Sequence, residues 1–209
     1  MKLYAIAALL ALSGLSVLVG YGTNNAALES LYLGIPSMRP FCALCFLVSG
    51  ILLWAMSQEI RHRGSKLCQV MIAGSSLFII NVVLFALWTL VFGRILLAED
   101  FLLGLNNAEL TTVIQHTPTL GSGSVFFLFA LAGLAVVFNT VNMTRRLKPL
   151  GILTIVMSVT AIAGRYLGVP VLYYSFHGLY GMPLISSYLH LISGVALFLL
   201  CKEVTKAHG

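Results

Sequence analysis

Charged side chains are the scarcest class in this sequence. They make up 9% of the 209 residues, as 12 Lys+Arg and 6 Asp+Glu, whereas hydrophobic residues make up 59%. Soluble domains carry about 25% charged residues, so the charges here are too few to cover a water-exposed surface. The apolar residues also run continuously, without the alternation of polar and apolar positions that a transmembrane β-barrel requires. The composition therefore excludes both classes and indicates a helical membrane protein.

Six apolar stretches are long enough to cross the hydrocarbon core, which takes about 20 residues of helix. They lie at approximately 4–20, 41–57, 69–92, 124–141, 149–167 and 184–201. The first follows Met1-Lys2-Leu3, as the apolar part of a signal peptide would, but no Ala-x-Ala cleavage pattern comes after it. We therefore predict an all-α integral membrane protein with six transmembrane helices.

The basic residues fix an expected orientation. Nine of the twelve lie at the termini or in the short connectors 58–67 and 142–148, and three (Arg39, Arg94 and Arg165) lie at the opposite side. Cytoplasmic loops carry the excess of Lys and Arg, so both termini are predicted to be cytoplasmic. We expect a multi-pass membrane protein, with the lipid bilayer as a partner. Because loop topology explains the positive charge, we expect no nucleic acid partner.

An internal repeat organises the spans. Residues 37–50 (SMRPFCALCFLVSG) match 181–194 (GMPLISSYLHLISG), and a Met stands twelve residues before the final Gly in each. A weaker third copy, without the Met, runs from Pro118 to Gly133. We predict one membrane domain, residues 1–209, made of three repeated helical hairpins at approximately 3–57, 68–141 and 148–201.

The hairpins are expected to turn at elbows on one side of the membrane. The spans before these elbows are expected to end at Gly22, Gly93 and Gly168, because glycine readily adopts the left-handed conformation that ends helices. Three such hairpins packed together give a six-helix bundle whose elbows converge. Small residues scattered through every span favour close helix approach.

The first elbow carries a family resemblance. Pro36-Ser37-Met38-Arg39-Pro40, followed by Ala43-Leu44-Cys45-Phe46-Leu47-Val48-Ser49-Gly50, resembles a Met-(Lys/Arg)-Pro-x-x-Ala-Leu-Cys-Phe-Leu-Leu-Ser-Gly signature. That signature belongs to the N-terminal six-helix membrane sensor region of bacterial sensor histidine kinases and diguanylate cyclases. Residues 87–103 and 164–182 are similar to the second and third elbows of the same family. The second copy departs from the pattern, since Gly121-Ser122-Gly123 replaces the usual Met-x-Pro entry.

The resemblance implies a sensory input module in the bacterial inner membrane. Such a module detects a ligand or a membrane state on its outer side and transmits through the sixth span to a cytoplasmic signalling domain or protein. Catalysis is then expected from an attached or separate kinase or cyclase domain and not from these spans. A homodimer is left open.

The candidate binding site lies where the elbows converge. His190 stands where the first repeat has Phe46, and polar residues buried in membrane bundles mark functional positions. We predict a mostly apolar ligand pocket in the outer half, with Arg165 near its mouth. Its predicted lining residues are Met38, Cys42, Phe46, Met182, Ser186, Tyr188 and His190. Only some of the last three are expected to contribute, because alternate positions on a helix face different directions.

A redox function is the alternative. The segment Cys42-Ala43-Leu44-Cys45 contains a C-x-x-C pair, which membrane oxidases use to pass electrons to a quinone. Under this hypothesis the pair and His190 would belong to a quinone- or haem-linked redox protein. Such enzymes work with a second outer pair, whereas Cys68 and Cys201 are single and cytoplasmic in this topology. Cys42, Cys45, His116, His177 and His190 form a further candidate metal or haem set, but without a known ligand spacing. We predict no cofactor, with haem or quinone as the alternative.

Overall fold

The computed structural model describes residues 2–31, 38–61, 65–98, 118–138, 143–175 and 181–208. Within these ranges the chain forms helices and no strand. The elements are α1 (Lys2–Thr23), α2 (Ala26–Ser30), α3 (Pro40–Arg61), α4 (Lys66–Ala98), α5 (Leu120–Val137), α6 (Met143–Leu167), the short 3₁₀ helix η1 (Pro170–Tyr173) and α7 (Leu184–His208).

Six of these helices are long and apolar enough to span a membrane, namely α1, α3, α4, α5, α6 and α7. The prediction of an all-α protein with six membrane-spanning helices is confirmed. The fold is that of a multi-pass membrane protein.

The fourth span begins earlier than the sequence suggested. It starts at Leu120 and not near residue 124, because Thr119 caps the helix. The Thr119 hydroxyl oxygen accepts a hydrogen bond from the backbone N–H of Ser122 at 3.3 Å. A side-chain cap satisfies an N–H group that otherwise has no partner in the first turn, so Gly121 and Gly123 lie inside the helix.

Two of the three expected glycine ends are also wrong. Gly22 lies inside α1, and the residue that adopts the left-handed conformation after this helix is Asn24 (φ 51°). Gly93 lies inside α4, which continues to Ala98. Gly168 does follow α6 with a φ of +66°, as expected for a glycine that ends a helix.

Three helices form the interior of the bundle and three surround them. The two groups differ in the share of residues that are buried in the most apolar 18-residue stretch of each helix. This share is 61% in α3 and 56% in both α5 and α7. It is 33% in α1, 28% in α4 and 33% in α6. The inner helices α3, α5 and α7 contact one another and run parallel, so their N-termini lie together. We name this side the elbow end, and the side that holds residues 2, 61, 66 and 204 the terminal end.

Each inner helix packs along one peripheral helix, in the pairs α1–α3, α4–α5 and α6–α7. Each pair consists of consecutive membrane spans. This is the packing that three helical hairpins require. The sequence repeat within them stays a prediction.

Candidate functional site

An aromatic cluster fills the centre of the bundle near the elbow end. It consists of Phe46 of α3, Phe126 of α5 and His190 of α7, each the seventh residue of its helix. The ring centroids lie 4.8 Å apart for Phe46–Phe126, 4.7 Å for Phe46–His190 and 4.6 Å for Phe126–His190. All three side chains are at most 1% exposed. The three inner helices thus meet at one point through nearly equal ring contacts.

One turn nearer the elbow end lies a small polar layer, formed by the third residue of each inner helix. The sulfur of Cys42 is 3.7 Å from the hydroxyl oxygen of Ser186. Ser122 of α5 faces the same thiol. Its hydroxyl is buried and makes no hydrogen bond within the part of the chain that the structure describes. This layer places weakly polar groups directly above the aromatic cluster.

His190 is the most polar member of the cluster, and its ring nitrogen Nε2 is buried without a hydrogen-bond partner among the described residues. Leaving a buried polar atom unpaired costs about 1–3 kcal/mol. A phenylalanine, as found at the matching positions of α3 and α5, would pack in the same place without that cost. The histidine is therefore not explained by stability.

The first elbow is held by hydrogen bonds to the backbone of Met38. The Met38 N–H donates to the carbonyl of Glu29 at 3.0 Å, and the Met38 carbonyl accepts from the hydroxyl of Tyr21 at 3.0 Å. The side chain of Met38 is fully buried. These contacts fix the start of α3 and the layers that follow it.

The third elbow repeats this geometry 144 residues later. The Met182 N–H donates to the carbonyl of Tyr173 at 2.8 Å, and the Met182 carbonyl accepts from Arg165 at 3.3 Å. Tyr173 and Arg165 each stand 144 residues after the corresponding partners of Met38, Glu29 and Tyr21. The Arg165 guanidinium also lies 4.2 Å from the centre of the Tyr173 ring. Arg165 therefore acts as a clamp on the elbow backbone.

The structure brings only some of the predicted pocket residues together. Cys42, Phe46, Ser186 and His190 form the two layers described above. Met38 is buried in the main core, whereas Met182 packs in a separate small cluster with Val125 and Ala161.

Tyr188 faces away from these layers. It is 39% exposed, and its hydroxyl pairs with that of Tyr166 at 3.0 Å. Its position on α7 therefore places it outside the cluster that His190 joins.

The structure describes three of the five candidate metal and redox residues, namely Cys42, Cys45 and His190. Cys42 and Cys45 are both buried and not joined by a disulfide. No group of three or more His, Cys, Asp or Glu side chains is placed to hold a metal within the described ranges. His116 and His177 lie outside the described residues.

An open groove lies elsewhere, between α4, α5 and α6. Its volume is about 330 Å³, and its lining includes none of the eight predicted ligand-binding residues. It lies on the opposite face of α5 from Phe126. The groove is thus separated from the aromatic cluster by one helix.

Two central residues, Ser122 and Phe126, were missed by the sequence analysis. The weak third copy was aligned through its last glycine, which set Gly133 against Gly50. The helix starts place Ala130 in that position instead, since Gly50 and Ala130 are each the eleventh residue of their helices. Aligning the copies on the capping residue Thr119 would have found both residues.

Comparison with known proteins does not assign the chain to a family. No family model matches the chain, and no curated protein or solved structure is detectably similar to it.

Proposed function

We propose that this chain is a membrane-embedded sensory input module that transmits through α7 to a cytoplasmic output domain or partner protein. The observation that carries the proposal is His190. It is a buried histidine with an unpaired nitrogen, at the point where the three inner helices meet. An ionisable residue within a membrane bundle is by default a functional position, because its burial is costly.

The helix that carries His190 also provides a route for transmission. α7 runs without interruption through 25 residues, from Leu184 to His208. At about 1.5 Å per residue such a helix is about 37 Å long, enough to cross the bilayer. A rotation or shift of α7 at the aromatic cluster therefore moves its far end.

At the terminal end α7 is joined to α3 by an ion pair. Arg61 of α3 donates to both carboxylate oxygens of Glu203, with the shortest contact at 2.9 Å. The side chains are about one-third exposed, so the pair is too weakly buried to lock the helix. Arg61 also lies 4.8 Å from the ring centre of Tyr4. These contacts join three helices next to the segment that would meet an output domain.

The proposed orientation places the terminal end in the cytoplasm of a bacterial inner membrane, because the basic residues concentrate there. Alkaline phosphatase, which is active only outside the cytoplasm, should be inactive when fused after Gly209. Fused within residues 104–112 it should be active. A green fluorescent protein fused at the same two places should give the reverse pattern, and agreement of both reporters on the opposite orientation would overturn it.

A chimera tests the sensory role directly. With a diguanylate cyclase domain fused after residue 209, His190→Phe should change basal cyclic dinucleotide output by at least threefold. The reason is that the variant removes the polar group from the cluster while its ring keeps the packing. The control is Val195→Ala on the same helix, whose side chain is 41% exposed and outside the cluster. Equal output from both variants at equal expression would contradict the proposal.

The same chimera separates sensing from redox chemistry. Cys42→Ser with Cys45→Ala keeps a polar group beside Ser186 and removes both thiols. Output should stay within about twofold of the parent chimera. Loss of output together with loss of a quinone-reducing activity, or a Soret absorbance band in the purified protein, would favour the redox alternative.

A further inference from the structure

The proposed function does not use the groove between α4, α5 and α6. α4 and α6 both pack on α5, but they do not pack along each other. Their separation leaves α5 as the floor of the groove. Val83 and Leu90 of α4 both line it, so it extends over about two helical turns from the elbow end toward the middle of the bilayer.

The lining of the groove suits hydrocarbon. Its two polar side chains are Thr119 and Ser124, and both are engaged within α5. The Thr119 oxygen accepts from the N–H of Ser122, and the Ser124 hydroxyl donates to the carbonyl of Leu120 at 2.9 Å. Both hydroxyl groups are therefore already engaged within α5, and the other side chains that line the groove are apolar or glycine.

The groove faces the bilayer. Residues on its sides are partly exposed, including Leu84 at 53%, Leu87 at 39% and Leu153 at 47%. In a six-span protein, apolar surface at this depth is in contact with lipid chains and not with water. Trp88, which is 57% exposed, lies on the same stretch of α4, and tryptophan is enriched where lipid head groups begin.

We infer that this groove binds one acyl chain of a bilayer phospholipid, with the head group at the elbow end. Its volume of about 330 Å³ lies at the lower end of the range for small-molecule sites, roughly 300–1,000 Å³. A helix from a second copy of the chain is a poorer occupant, because two turns of a helix about 10 Å across need more space than the groove's volume of about 330 Å³. If the occupant is also a stimulus, acting through α5 on the aromatic cluster, that role rests on the proposed function.

Gly123 gives a way to fill the groove. A Cβ atom at this position would meet only Val83 Cγ1, at 3.7 Å, so a larger side chain can extend into the open space. Gly123→Leu should therefore occupy the site. Gly74→Leu is the matched control, since Gly74 also lies within a membrane span and a Cβ there meets nothing within 4 Å.

The test uses the full chain in vesicles of phosphatidylcholine that carries a diazirine on one acyl chain. After illumination, adducts mapped by mass spectrometry should concentrate on the α4 and α5 peptides that line the groove. Gly123→Leu should reduce them at least fivefold, and Gly74→Leu should leave them unchanged. Adducts on the exposed face of α1, around Leu12, report bulk lipid and should be the same in all three proteins.

A second measurement tests the inference even if the Gly123→Leu variant folds poorly. Native mass spectrometry of the unaltered protein, after detergent has removed bulk lipid, should show one phospholipid retained per chain. Adducts spread evenly over the bilayer-facing helices, or a protein that retains no phospholipid, would overturn the inference. Because neither measurement depends on signalling output, their failure is distinct from a failure of the proposed function.

Discussion

His190→Ala should lower the free energy of unfolding by about 2–4 kcal/mol, while His190→Phe should raise it by about 1–2 kcal/mol. The alanine variant leaves a cavity between Phe46 and Phe126, whose ring centres lie 4.7 and 4.6 Å from that of His190. The phenylalanine variant keeps these contacts and removes a buried nitrogen that has no partner among the described residues. Unfolding in a single detergent, followed by circular dichroism, measures both changes.

Val195→Ala, on the bilayer-facing side of the same helix, is the control and should change the free energy of unfolding by less than about 0.5 kcal/mol. A phenylalanine variant clearly less stable than the unaltered protein would contradict the expectation. It would mean that Nε2 is satisfied by a bound group, or that the larger ring overpacks the cluster. A more stable variant that has lost signalling output would show that the histidine is kept for function at a cost in stability.

The spans could be predicted from the sequence because membrane insertion depends on length and apolar composition, which any window of the chain displays. The packing in the interior of the bundle was harder to predict. The repeat pointed to Cys42, Phe46, Ser186 and His190, and the structure brings these four into adjacent layers. It also pointed to Tyr188, which lies two residues from His190. Two steps along an α-helix turn by about 200°, so Tyr188 falls on the opposite face.

The two residues of the site that the sequence analysis missed, Ser122 and Phe126, lie in α5. The sequence features at the start of this helix favour different structures. The sequence predicted a span that starts near residue 124, after the poor helix formers Gly121 and Gly123, and a third copy that ends at Gly133. The cap at Thr119 and the need to satisfy every backbone group in the bilayer outweigh this local preference. The groove could not be predicted from any residue pattern, because it depends on how far α4 and α6 separate.

The close approach of α1 and α3 leads to the second large expected effect. A Cβ atom at Gly50 would lie 2.5 Å from the carbonyl oxygen of Ala7 and 2.7 Å from the backbone nitrogen of Ala11. At Gly14, on the facing helix, a Cβ would meet the carbonyl oxygen of Ala43 and, at 2.6 Å, the backbone nitrogen of Leu47. Backbone atoms cannot rotate away as a side chain can. Adding a methyl group at either position must therefore separate the two helices.

Gly50→Ala and Gly14→Ala should each lower the free energy of unfolding by about 1–3 kcal/mol, the usual cost of overpacking. Gly74→Ala is the matched control, because a Cβ there meets nothing within 4 Å. Alanine is favoured over glycine in a helix by about 0.8–1 kcal/mol, so this variant should be slightly stabilised. The midpoint of unfolding in one detergent ranks all three. If Gly50→Ala were as stable as Gly74→Ala, the two helices would not pack through their glycines, and the first hairpin would have to be held by the side chains around Leu10 and Phe46 instead.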